Sequence, residues 1–305
     1  MIKNFDQLVE KLRKQTEKKT VVIAAAQTES AIEAAVMAKK EGLANSLLIG
    51  EKPLIEKIIA DNFPEYVDVF EIQDTGSDMA KACAKAVEAI HEKKAHIILK
   101  GKADTALLLK AVLDKEKGLG TGEVMSDVLA YETEERLILM SDGGIVMYPD
   151  LKEKISIVKN AVKVAHALEN RNPKVALLAS VEVVNPKMEC TLDAAIITKM
   201  NQRNQITECT IDGPLAFDNA IDIEAAKIKG IESPVAGHAD ILIFPNIEAG
   251  NIFAKSLTYY AKYRVAHVVI GTKAPILIAS RADTAETKML CMAMGIVAAE
   301  NRSMT

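Results

Sequence analysis

The chain is expected to be an α/β protein built from two α/β domains, on three observations. Short β-branched runs alternate with Ala-, Lys- and Glu-rich stretches of helical period. The alternation runs through the chain twice, and the two series are separated by a short polar break with a proline at Asn170–Pro173. Apolar residues make up 49% of 305 positions, enough to bury a sizeable core.

In the first series the strand-like runs are Thr20–Ala26, Ser46–Ile49, Val67–Ile72 and His96–Lys100, with helical stretches such as Glu29–Glu41 and Asp78–Lys93 between them. The second series has runs at Val175–Ser180, Thr207–Ile211, Ile241–Pro245 and His267–Ile270. A long helical stretch, Asp150–Leu168, links the halves. Strands alternating with helices imply parallel or mostly parallel sheets covered on both faces. No internal repeat or low-complexity tract interrupts the pattern.

Composition narrows the function. The net charge is −4 and no strongly basic stretch stands out, which argues against nucleic acid as a partner. The N-terminal stretch has amphipathic helical character and lacks a signal peptide's apolar run. No segment is apolar for long enough to cross a bilayer, so no membrane partner and a soluble cytoplasmic protein are expected. Cys83, Cys190, Cys209 and Cys291 are scattered and the five histidines are isolated. No metal spacing and no Ser–His or Cys–His pair emerges, so neither a metal site nor a permanently bound cofactor is expected.

The residues richest in chemistry are Ser280, Arg281 and Asp283, between an apolar run, Pro275–Ala279, and a helical stretch, Thr284–Ala298. A strand entering a helix start makes an anion site from unpaired N–H groups and the positive end of the dipole. Arg281 adds a planar fork of donors. Asp283 with Glu286 fits a capping box equally well. Three further segments are candidates for substrate binding. Lys100 and Lys102 flank Gly101 at a strand end, where an anion could bind, or where solvated lysines could lie beside an Asp cap. Asp142 and Gly143 follow the apolar run Leu137–Met140, as a ligand loop or a plain turn. Gly250 and Asn251 are placed at a helix start, with Asn251 as a ligand contact or a cap.

The C-terminal third carries a resemblance. It reads IDGPLAFDNAI from Ile211, SPVAGHADILIFPNIEAGNIFAKSL from Ser233, and GTKAPILIASRADTAE from Gly271. In order and spacing these resemble the phosphate acetyl/butyryltransferase family, and Asn172–Ser180 looks like its strand opening the second domain. The likeness is dense from about Asn172 to Glu286. Acetyl-specific members typically run G-L-x-K-P-x-N-D-L-S-R-G into the last helix, whereas Gly271–Arg281 here has Leu277 and Ile278 for the Asn-Asp pair and Ala274 for the Lys. The butyryl members are the more similar, including Ala282–Asp283.

The resemblance implies two α/β domains with a cleft between them, isocitrate/isopropylmalate dehydrogenase-like, the last helix returning to the first domain. The first domain would hold residues 1–145 plus 276–305 and the second residues 146–275. It implies an acyltransferase moving a short acyl group, butanoyl favoured, between CoA and inorganic phosphate, and a homo-oligomer. Both acyl donors are activated, so positioning and charge stabilisation suffice, and direct attack by phosphate needs neither a metal nor a covalent intermediate. In that reading Arg281 holds phosphate and developing charge, Ser280 donates to the thiolate or the oxyanion, and Asp283 or Glu286 is the base. The acidic position of acetyl members falls on Thr287 here. The alternatives are a phosphate acetyltransferase, a metal- and NAD-dependent decarboxylating dehydrogenase of the same fold, and a non-catalytic acyl-CoA or nucleotide binder. For the dehydrogenase, which needs aspartates around a divalent ion, no clustered Asp pair stands in the last third beyond Asp218 and Asp222.

Overall fold

The structure, a computed structural model, describes residues 1–280 and 283–302. In chain order its elements are α1 (Phe5–Arg13), β1 (Thr20–Ala24), α2 (Glu29–Lys40), β2 (Asn45–Gly50), α3 (Lys52–Asn62), β3 (Glu71–Asp74), α4 (Met79–His91), β4 (Ile97–Lys100), α5 (Thr105–Val112), β5 (Ser126–Glu132), β6 (Leu137–Ser141) and α6 (Leu151–Ala167). They continue with β7 (Lys174–Leu178), α7 (Glu189–Gln202), β8 (Thr210–Leu215), α8 (Phe217–Ile221), α9 (Ile223–Ile228), β9 (Ile241–Ile243), α10 (Ile247–Tyr259), β10 (Val265–Ile270), β11 (Ile276–Leu277) and α11 (Ala285–Arg302).

The chain divides into two compact units. The flanking unit comprises Phe5–Glu123 and Ala266–Thr305, and the central unit Met1–Asn4 and Val124–Val265. In the flanking unit the strand order is β3-β2-β1-β4-β11-β10. Strands β1 to β4 and β11 pair in parallel, and β10 runs antiparallel to β11. In the central unit the order is β5-β6-β9-β7-β8, with β5 antiparallel to β6 and the other pairs parallel.

Local chemistry accounts for the elements. In α1, Phe5, Leu8 and Leu12 recur at helical spacing and are buried. β1 and β4 are buried along nearly their whole length, as expected of parallel strands covered on both faces. α4 is capped by Asp78 and α6 by a complete capping box, Asp150 with Glu153. α11 is buried from Met289 to Ala298 and packs on β4 and β11. Its Gly295 comes so close to the sheet that a Cβ would lie 3.0 Å from Leu277 and 3.1 Å from Ile97.

Two expectations need correction here. The strand expected at Val67–Ile72 begins only at Glu71, because Pro64–Tyr66 forms a 3-10 turn and Asp68 takes a left-handed conformation. The isocitrate/isopropylmalate dehydrogenase-like class does not hold either. Alternating strands and helices dictate α/β layering, but they leave strand order and the antiparallel pairings open, and those features separate one α/β class from another.

Leu99 is fully buried in β4, paired with β1 on one side and β11 on the other. Leu99→Ala should cost roughly 2–5 kcal/mol in denaturant unfolding. A loss under about 1 kcal/mol would contradict the central place of β4.

Candidate active site

In the flanking unit the site grows from strand ends. β1, β4 and β11 are parallel, so their carboxyl ends share one edge, where ligands of such sheets gather. β4 ends on Lys100, and the next two residues fold back over the end of β1. Gly101 N–H donates to Ala24 O at 2.9 Å and Lys102 N–H to Ala25 O at 2.7 Å. Only glycine fits at 101, since a Cβ would stand 2.3 Å from Ala25 O. Lys100 is buried, its ammonium 3.4 Å from Ala103 O.

Lys100, Lys102 and Ser280 line one cavity of about 390 Å³, together with Asp104, Thr28 and Lys288. The structure thus brings together three residues singled out from sequence. Ser280 N–H donates to Asp283 Oδ2 at 2.7 Å, and Asp283 N–H returns a bond to Ser280 O at 3.1 Å. This reciprocal pair ties Ser280 directly to Asp283. The capping box of Asp283 with Glu286 is not formed. α11 starts at Ala285, and its cap is Thr284, whose Oγ1 accepts from Thr287 N–H at 3.1 Å and faces the Thr287 hydroxyl at 3.0 Å. Thr287, at the acidic position of acetyl members, is therefore engaged with Thr284. Arg281 lies outside the described residues.

Lys288 was not anticipated. It is 4% exposed, lines the cavity, and donates from Nζ to the main-chain oxygen of Asp283. Burial lowers its pKa, opposed by the charges of Asp283, Cys291 and Glu33. The sequence signal was a lysine directly ahead of the buried face of α11, where Met289 to Met294 are all buried.

In the central unit β6 delivers Asp142, which is buried. Its carboxylate accepts four backbone N–H bonds. Oδ1 takes Gly144 at 2.7 Å and Ile145 at 3.0 Å, and Oδ2 takes Val146 and Asp127, each at 3.2 Å. Burial and the neighbouring Asp127 charge outweigh these donors and raise the pKa to about 6. Gly143 lies against Gly250, where a Cβ on Gly250 would stand 2.2 Å from Asp142 O. Asn251 Nδ2 donates to Gly143 O at 2.8 Å. These four residues are therefore brought together, but largely onto one another. The expected helix start at Gly250–Asn251 is corrected: α10 begins at Ile247 and its cap is Asn246, which accepts from Ala249 N–H at 3.0 Å.

A second cavity, of about 680 Å³, went unnoticed in the sequence. It opens in the central unit after β7 and β9, beside the starts of α6, α7 and α10, with Phe217, Phe244 and Leu178 on its apolar side. Lys154 lines it and forms a buried ion pair with Asp193 at 2.6 Å.

A family model described as phosphate acetyl/butaryl transferase matches residues 65–296. The chain belongs to this family. A phosphate butyryltransferase of Clostridium acetobutylicum is 46% identical over 304 residues, covering 99% of this chain and 100% of that one. A phosphate acetyltransferase of Thermotoga maritima is 41% identical over 295 residues, covering 96% and 99%. The crystal structure of a branched-chain phosphotransacylase from Enterococcus faecalis V583 superposes with a TM-score of 0.81 at 30% identity, covering 92% of this chain and 99% of that one. The fold is therefore that of the phosphotransacylases, which overturns the dehydrogenase-like class. As a member of the phosphate acetyl/butyryltransferase family the chain is an acyltransferase, and a dehydrogenase reading is not favoured. The acidic pair weighed for that alternative has other partners: Asp222 caps α9, and Asp218 pairs with Lys229 at 3.0 Å.

Asp142 has a raised folded pKa. Its contribution to stability is fully present below its unfolded value near 4 and is lost as pH rises through about 6. That loss should be on the order of 3 kcal/mol in denaturant titrations, and Asp142→Asn should remove it from the pH 4–6 window. Equal slopes in the two proteins would contradict the shift.

Proposed function

We propose that the chain moves a short acyl group, butanoyl preferred, between CoA and inorganic phosphate, giving acyl phosphate and free CoA. The observation that carries this reading is the convergence of Lys100, Lys102 and Ser280 on one cavity at the carboxyl edge of a parallel sheet, in a chain of this family. The butanoyl preference rests on the 46% identity to a phosphate butyryltransferase and on Leu277 and Ile278 in the segment before Ser280.

A phosphate oxygen attacks the thioester carbonyl, the tetrahedral oxyanion collapses, and the C–S bond breaks with its electron pair on sulfur. Thioester and mixed anhydride are both activated, so the protein's task is to position the reactants and to meet the negative charge. Lys100 and Lys102 supply a positive field in the cavity. Arg281 clamps phosphate and the developing charge. Ser280, held by its hydrogen bonds with Asp283, donates to the oxyanion or the thiolate. Asp283 takes the proton that the CoA thiol loses in the reverse direction, with Glu286 as the rival. Asp142, Gly143, Gly250 and Asn251 act on the substrate through the shape of the loop their mutual contacts hold. CoA, phosphate and the acyl group are the only partners this chemistry requires. The proposed setting is a cytoplasmic homo-oligomer. No described helix is long and apolar enough to cross a membrane.

The purified chain should release CoA thiol from butanoyl-CoA only when phosphate is present, undiminished by excess chelator and faster than from acetyl-CoA. Loss of release under chelator, or none with phosphate, would sink the reading. Acetyl-CoA as the better substrate would turn it into a phosphate acetyltransferase.

Arg281→Lys should not behave as a conservative change, because lysine lacks the planar fork. Turnover should fall about a hundredfold in a folded protein. Wild-type turnover and phosphate KM would remove Arg281 from the site.

A further inference from the structure

Lys288 has no role in the scheme above, yet its surroundings are unusual for a lysine. The residue is 4% exposed, and lysines are almost never so buried unless paired. Among the described residues its ammonium makes one hydrogen bond, to the main-chain oxygen of Asp283, and no carboxylate lies within ion-pair distance. The charges of Asp283 and Glu33 reach it without an ion-pair contact, and the Asp283 carboxylate is turned to Ser280 N–H. An ammonium carries three donors, so this one is buried with part of its capacity unmet. It is not sealed in the core, because it lines the same cavity as Ser280, Lys100 and Lys102. Three lysines against one aspartate, Asp104, make that lining strongly cationic.

We propose that Lys288 is a substrate-contacting residue of the acyl-transfer reaction, its ammonium holding an oxygen of inorganic phosphate beside Ser280. This rests on the acyl-transfer reading and names a residue it lacked. A phosphate dianion would supply a further hydrogen-bond acceptor and a negative charge in direct contact, where Asp283 and Glu33 act only from a distance. The lowered pKa agrees, since burial is its main cause, only partly opposed by the Asp283, Cys291 and Glu33 charges, and an arriving anion would oppose it further. The helix explains why the lysine is there. Thr284 caps α11 and binds Thr287, so the next residue, Lys288, is the one carried into the cavity.

The test compares phosphate with CoA. Lys288→Met keeps the apolar stem and removes the charge. It should raise the phosphate KM, and the phosphate Kd measured by calorimetry, at least about tenfold, while the butanoyl-CoA KM stays within about twofold. In the wild-type protein, inorganic phosphate should protect Lys288 from reductive methylation, mapped by mass spectrometry, and CoA alone should not. This arm needs no variant, so misfolding of Lys288→Met leaves the proposal testable. An unchanged phosphate Kd in folded Lys288→Met overturns it. So does a rise confined to the butanoyl-CoA KM, or methylation indifferent to phosphate. The two readings fail separately. Phosphate protection without phosphate-dependent CoA release refutes acyl transfer alone, and normal turnover with an indifferent Lys288 refutes this assignment alone.

Discussion

The pairing of β4 between β1 and β11 is the constraint on which the cation-lined cavity depends. Ala24 is in register with Lys100, and Leu277 with Leu99, all in parallel ladders. Three strand ends therefore stop at one level, and the loops that follow them must share one small space. The β4 loop is then bonded onto the Ala24 and Ala25 carbonyls, which Gly101 alone permits. Past β11, Ser280 is tied to Asp283. Sheet register, more than any single side chain, brings lysines from residues 100 and 102 to a serine at 280.

The two units treat buried charge in opposite ways. Asp142 is surrounded by four N–H donors from its own loop and from Asp127, so its acceptors are fully used in shaping the backbone. Lys154 is likewise neutralised, by Asp193. Lys288, among the described residues, hydrogen-bonds to a carbonyl and contacts no carboxylate. Satisfied buried charges shape structure, whereas an under-satisfied one facing a cavity leaves favourable energy for a ligand to collect.

Much of this was legible in the chain because it is local. Runs such as TVVIA and IILK announce buried strands, and Glu29–Glu41 and Asp150–Leu168 have helical period, so most elements fall within a few residues of their expected bounds. Lys100, Lys102 and Ser280 stood out because they sit where a strand gives way to a loop. What escaped was non-local. Strand order rests on pairings between residues such as Ile98 and Ile276, which no local pattern encodes, and the fold class was misjudged there. The start of α10 was misplaced because Asn246 and Asn251 are both credible caps, and only the packing of Gly250 on the Asp142 loop chooses between them. Lys288 was hidden inside Thr284–Ala298, a segment that the sequence marks only as helical.

The seam between Gly143 and Gly250 has a consequence for motion. Bare backbone meets bare backbone there, with Asp142 O where a Gly250 Cβ would lie and Asn251 bridging to Gly143. Between the two glycines such a joint has no side chain to bend, and the Asn251 amide ties it shut. The 142–146 loop and the first turns of α10 must translate and rotate as a single rigid piece. A push on the first turns of that helix is thereby passed, backbone to backbone, to a loop more than a hundred residues earlier in the chain.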